Sequence, residues 1–158
     1  MKIKEVSAAA VYLRPETKTE PRVERQPDSP EWVSPMMRYP EFAKADWNAE
    51  ASWTRTACVV TAEDGTWGLG LTLFSGPVTR LINDHLASVV VGQDVMAIEK
   101  VWDMMRRAAS PYGSAGLASY AISAVDNALW DLKGKMLGRP VYELLGGPQK
   151  DQIFCYAS

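Results

Sequence analysis

At 158 residues, 47% apolar and 23% charged, the chain has the length and composition of a single packed domain, which excludes a disordered, collagen-like or mucin-like polypeptide. Seventeen Lys plus Arg against nineteen Asp plus Glu leave a net charge of −2 with no basic run, so neither nucleic acid nor an anionic membrane is expected as a partner. The longest uncharged, mainly apolar stretch, Gly113 to Val125, is too short and too rich in Gly and Ser to cross a bilayer. No secretory signal pattern opens the chain, and a cytoplasmic protein is expected.

Lys2 to Leu13 carries β-branched and aromatic residues without helical periodicity and predicts a first strand. The composition then changes. Six of the ten prolines lie in the first forty residues, and charge is dense from Arg14 to Glu50, so this stretch cannot build a core and reads as a long loop. Long loops in compact proteins are lids, binding loops or tails. Trp32, Met36, Met37, Tyr39, Phe42, Trp47 and Trp53 supply apolar anchors that favour a lid over a tail.

Trp53 to Ala62 predicts a second strand, Glu63-Asp64-Gly65 a turn, and the alternation of Trp67, Leu69, Leu71 and Leu73 with Thr66, Gly68, Gly70 and Thr72 a third strand with one face buried. An antiparallel sheet is expected. From Pro77 the period becomes helical: Val78, Leu81, Ile82, His85, Leu86 and Val89, with Pro77 at the first helical position and Gly92 past the end. Asp94 can cap a second helix bearing Ile98, Val101, Trp102, Met105 and Ala109, which Ser110-Pro111-Tyr112-Gly113 terminates. A third helix spans about Leu117 to Leu137 with Ala118, Ala121, Ile122, Val125, Leu129 and Leu132 on one face. After a short turn at Val141 to Leu145, Asp151 to Ser158 contains a continuous apolar run, the pattern of a strand covered on both faces in a parallel sheet or barrel.

Few residues carry chemistry by themselves. Cys58 and Cys155 are far apart with no CxxC, so neither a disulfide framework nor a thiolate zinc site is expected, and both read as buried, reduced thiols. Gly68-Leu69-Gly70 is not completed to GxGxxG, no P-loop occurs, and Ser119 and Ser123 lack a nucleophile elbow. His85, the single histidine, reads as a helix-packing residue rather than a general base. Asp126 and Asp131 fall about 140° apart around a helix and do not converge on one metal, so capping, packing and lysine pairing explain them. Arg38 and Tyr39, in the anchored loop, could bind a carboxylate and a hydroxyl or could simply be solvated.

The run from Ala121 to Gly147, AISAVDNALWDLKGKMLGRPVYELLGG, closing on Tyr156-Ala157-Ser158, resembles the end of the N-terminal capping domain of the mandelate racemase/muconate lactonizing enzyme branch of the enolase superfamily. The upstream pattern fits too, so the resemblance covers essentially the whole chain. It implies an α+β fold, a three-stranded antiparallel sheet followed by a helical bundle, with residues 1–148 capping a TIM-type barrel, a lid loop at about 14–52, and the first barrel strand beginning at 149–158. It implies Mg²⁺-assisted removal of the proton next to a carboxylate, the metal ligands and bases coming from later barrel strands, so that no catalytic or metal-binding residue falls on this chain.

Within the branch, Ser34-Pro-Met-Met-Arg38-Tyr39 and Pro111-Tyr-Gly-Ser-Ala-Gly-Leu117 look most like acid-sugar dehydratases of the L-rhamnonate dehydratase kind. That likeness implies a sugar-acid substrate, identical subunits and the missing barrel as partners, and Trp32, Met37, Arg38 and Tyr39 at the distal end of the substrate pocket. The loop departs from the pattern in having no histidine between Arg14 and Trp53, and Lys44-Ala45-Asp46 where an arginine is expected, which leaves the particular sugar acid open. A racemase or cycloisomerase of the same branch, or a free-standing module that binds a partner without catalysis, stand as alternatives.

Overall fold

Asp64 and Gly65 fold two strands back on each other: Asp64 Oδ1 accepts a hydrogen bond from the Thr66 amide at 2.9 Å, and Gly65 takes a φ of 87°, which its missing Cβ permits. The computed structural model describes residues 1–12, 38–42 and 54–155. Among these, β1 (Ile3–Val11), β2 (Arg55–Ala62) and β3 (Trp67–Thr72) form one antiparallel sheet in the order β1-β2-β3. Cys58 lies at its centre, opposite Ala8 on one side and Gly70 on the other. The three expected strands are therefore present, in the expected α+β arrangement.

The helical layer follows: α1 (Ser75–Leu81), a π-helical turn (Ile82–Leu86), α2 (Ala87–Val90), α3 (Ile98–Ala108), a 3-10 turn (Ser110–Tyr112), α4 (Leu117–Leu137) and α5 (Val141–Leu144). α4 has the bounds expected from its periodicity, and all six residues assigned to its inner face are buried. It stops at Gly138, whose φ of 62° lets the Arg139 amide turn back to the Gly134 carbonyl at 3.0 Å. The first helix differs from expectation. It begins at Ser75, and the Ala87 amide reaches the Ile82 carbonyl, a five-residue step. The apolar residues it buries are Val78, Ile82, Leu86 and Val90, four apart throughout. In a regular α-helix three such steps drift about 120° around the axis; the wider turn absorbs the drift and brings Val90, not Val89, to the core.

The sheet buries the opposite face of β3 from the one its leucines mark. Gly68 and Gly70 are buried against α4, while Trp67, Leu69 and Leu71 are 50%, 41% and 48% exposed. A Cβ on Gly68 would stand 2.0 Å from the Ala128 carbonyl oxygen, and one on Gly70 1.9 Å from that of Ala124. The helix backbone rests directly on the strand, which only glycine allows. Val6, Thr56, Cys58, Val60 and Ala62 complete that inner face.

Two further expectations are corrected. Trp102 is 40% exposed, at the edge of its helix rather than in the core. Cys155 is exposed, and of the two cysteines Cys58 is the buried one. Gln152–Cys155 make no ladder with the three strands described, and Phe154 is almost wholly exposed. Tyr156 to Ser158 lie outside the described residues.

Candidate functional site

One end of the sheet gathers both ends of the long loop and the junction into α1. β1 ends at Val11, opposite Arg55 at the start of β2, and Thr56 pairs with Thr72 at the end of β3. The long loop therefore leaves and returns at the end where β3 passes into α1. Its return is pinned: the Thr54 amide donates to Ser75 Oγ at 3.0 Å and the Ser75 amide to the Thr54 carbonyl at 3.0 Å, with Ser75 buried. Between β3 and α1, Phe74 adopts φ 60° and ψ 55°, a left-handed conformation that costs a non-glycine residue about 1–2 kcal/mol. Its ring meets that of Tyr120 edge to face at 4.8 Å. Phe74, Ser75 and Tyr120 were not singled out from the sequence, where nothing marks Phe74 as strained.

The expected substrate residues are only partly in view. Arg38 and Tyr39 immediately precede the short 3-10 turn Pro40–Phe42, with both side chains exposed. They line neither of the two grooves described next. Trp32, Met37 and most of the loop at 14–52 lie outside the described residues.

The first groove, of about 610 Å³, runs between α1 with its π-helical turn and the Ser110–Tyr112 turn, lined by Pro77, Arg80, Leu81, His85, Tyr112 and Leu117 among others. His85 Nδ1 and the Tyr112 hydroxyl share a 2.8 Å hydrogen bond. Burial pushes the Tyr112 phenol above its ordinary range. The second groove, of about 400 Å³, lies between α3 and α4, with Trp102 and Trp130 beside Glu99, Asp103 and Asp126. Arg107 holds Asp103 at 2.7 Å, and burial raises the Asp126 carboxyl. Asp131 is the lysine-paired residue expected, 2.7 Å from Lys135. Among the described residues no group of three or more His, Cys, Asp or Glu side chains is placed to hold a metal ion, and no helix is long and apolar enough to cross a membrane.

Residues 50–146, more than half of the chain, match the N-terminal domain of mandelate racemase / muconate lactonizing enzyme. The chain belongs to the mandelate racemase/muconate lactonizing enzyme family. Within that family it is 45% identical over 127 residues to an L-rhamnonate dehydratase of Saccharopolyspora erythraea, covering 80% of this chain and 33% of that protein. The crystal structure of L-rhamnonate dehydratase from Gibberella zeae superposes with a TM-score of 0.76 at 26% identity, over 94% of this chain and 35% of that one. A magnesium complex of a mandelate racemase/muconate lactonizing protein from Paracoccus denitrificans PD1222 gives 0.65 at 30% identity, over 94% and 31%. The chain thus spans about a third of the length of these relatives, and the fold it contributes is that of the family's capping domain.

Proposed function

We propose that the chain is the capping and substrate-recognition portion of an acid-sugar dehydratase, residues 1–148 forming the cap, the loop at about 14–52 its lid, and residues 149–158 leading into the first strand of a catalytic barrel. The observation that carries this reading is the extended likeness to an L-rhamnonate dehydratase across four fifths of the chain. The reaction removes the proton next to the carboxylate and expels the β-hydroxyl, leaving a 2-keto-3-deoxy acid. Mg²⁺, as in the Paracoccus denitrificans relative, supplies charge stabilisation next to such a carboxylate. Among the described residues no group of three or more His, Cys, Asp or Glu fits that ion; in this reading its ligands and the catalytic bases come from the barrel.

The role left to these residues is recognition. Trp32, Met37, Arg38 and Tyr39 line the far end of the substrate pocket, with the Arg38 guanidinium taking up the acid or hydroxyl oxygens of the sugar. The pinned corner at Thr54 and Ser75 supports this, since it fixes where the lid rejoins the domain. The test is to express the complete gene product and incubate it with Mg²⁺ and a panel of sugar acids, L-rhamnonate included. Formation of a 2-keto acid is expected. A racemised but undehydrated substrate makes the protein a racemase of the same family, and the absence of any turnover on the panel removes the dehydratase reading.

A further inference from the structure

The sheet has two lateral edges, and on each of them several outward-facing backbone groups are met by other parts of the chain. In β3, Leu69 lies opposite Val59 in a pair that does not exchange ladder bonds, so its amide points away from β2. That amide donates to Asp131 Oδ2 of α4 at 2.8 Å. Lys135, one turn further along α4, donates to the Trp67 carbonyl at 3.0 Å, pairs with Asp131 at 2.7 Å, and stands 3.9 Å over the Trp67 ring. On the opposite edge the carboxamide of Asn83 does the same work for β1: the Ala8 amide donates to Asn83 Oδ1 at 2.8 Å, and Asn83 Nδ2 donates to the Ala8 carbonyl at 2.9 Å. Nearer the start of β1, Ile3 gives its amide to the Gln93 carbonyl at 2.9 Å and accepts from the Gly92 amide at 2.8 Å.

These contacts depend on two irregular features. Gly68 and Gly70 let α4 settle onto β3, close enough for the short Asp131 side chain to reach a strand amide. Asn83 sits in the π-helical turn, within the segment that departs from regular α-helix. Without these side chains, β3 would offer a free amide and carbonyl beside an exposed row of Trp67, Leu69 and Leu71, the combination that recruits a strand from another molecule.

We propose that Asn83 and the Asp131–Lys135 pair are edge seals: they occupy the positions an added strand would take and keep the sheet three-stranded, independently of the reaction the protein serves. The experiment follows amide exchange at Leu69 and Ala8, together with oligomeric state by sedimentation, in the intact protein and its variants. Asp131→Ala is expected to speed exchange at Leu69 about tenfold while leaving Ala8 unchanged, and Asn83→Ala to do the reverse. The double variant is expected to form larger species absent from the parent at equal concentration, with an infrared signature of intermolecular strands. Adding Leu69→Pro, which deletes the exposed donor, is expected to restore the parent's size. Asp131→Asn keeps an acceptor without the charge and is expected to retain protection at Leu69. That arm stays informative if the alanine variants fail to fold. Equal loss of protection in Asp131→Asn and Asp131→Ala, or a folded double variant with the parent's exchange and size, would overturn the proposal.

Discussion

Replacing Gly70 by alanine sets two physical effects against each other. In a strand interior glycine is the less favourable residue by roughly 0.5–1 kcal/mol, so conformational preference alone makes Gly70→Ala stabilising. The new Cβ, however, lies 1.9 Å from the Ala124 carbonyl oxygen and 3.0 Å from the Ala128 amide nitrogen. Both are backbone atoms of α4, so no rotamer change relieves the contact. Restoring an ordinary separation of 3.4 Å requires the helix to withdraw by about 1.5 Å. A gap of that size forfeits half or more of the dispersion energy at each facing atom, and overpacking of this kind typically costs ~1–3 kcal/mol. The Asp131 bond to the Leu69 amide stretches with it, a further ~1–3 kcal/mol for a charge-assisted contact. Set against the glycine-to-alanine gain, the expected net loss is about 1–5 kcal/mol, compared with the ~5–15 kcal/mol that holds a typical domain together. Urea unfolding followed by far-ultraviolet circular dichroism measures it, the midpoint moving to lower urea at constant slope. A Gly70→Ala protein as stable as its parent would refute the close approach of α4 to β3.

In the intact enzyme, Arg38→Ala is expected to lower kcat/KM for the sugar acid about tenfold or more, the equivalent of one or two charge-assisted hydrogen bonds, and an unchanged kcat/KM removes Arg38 from the pocket. The exposed Cys155 is expected to react with Ellman's reagent at once and Cys58 only after denaturant is added; simultaneous reaction contradicts the burial of Cys58. Burial pushes the Cys58 thiol from 9.0 to about 12, so across that range the unfolded chain gives up its proton before the folded one does. The stability this contributes is intact below pH 9.0 and declines as the pH rises towards 12, and Cys58→Ala should flatten the decline in urea midpoints taken from about pH 8 to 11. Burial also raises the Asp126 carboxyl, so its charged form is less favourable in the folded protein than in the unfolded chain. Asp126→Asn should therefore raise the melting temperature at neutral pH and lose that advantage at about pH 3, where both states hold the proton; no gain at neutral pH contradicts it.

Hydrophobic period and turn chemistry determined most of the element list. Three strands, the Asp64-Gly65 turn and the bounds of α4 were legible because each rests on local preferences that tertiary contacts reinforce. The family was legible in the run from Ala121 to Gly147. What lay beyond reach was everything decided by which face of an element meets another. The leucines of β3 alternate correctly yet face outward, because an alternating pattern names two faces and only the docking of α4 on Gly68 and Gly70 chose between them. The buried series Val78, Ile82, Leu86 and Val90 needed a widened turn that single-residue periodicity does not encode. Phe74 became conspicuous only through its backbone angles, and Asp131, readable as a lysine partner, proved to hold a strand edge 62 residues away in sequence. Local chemistry fixes what each segment can be; long-range steric fit, invisible along the chain, fixes which of its surfaces is used.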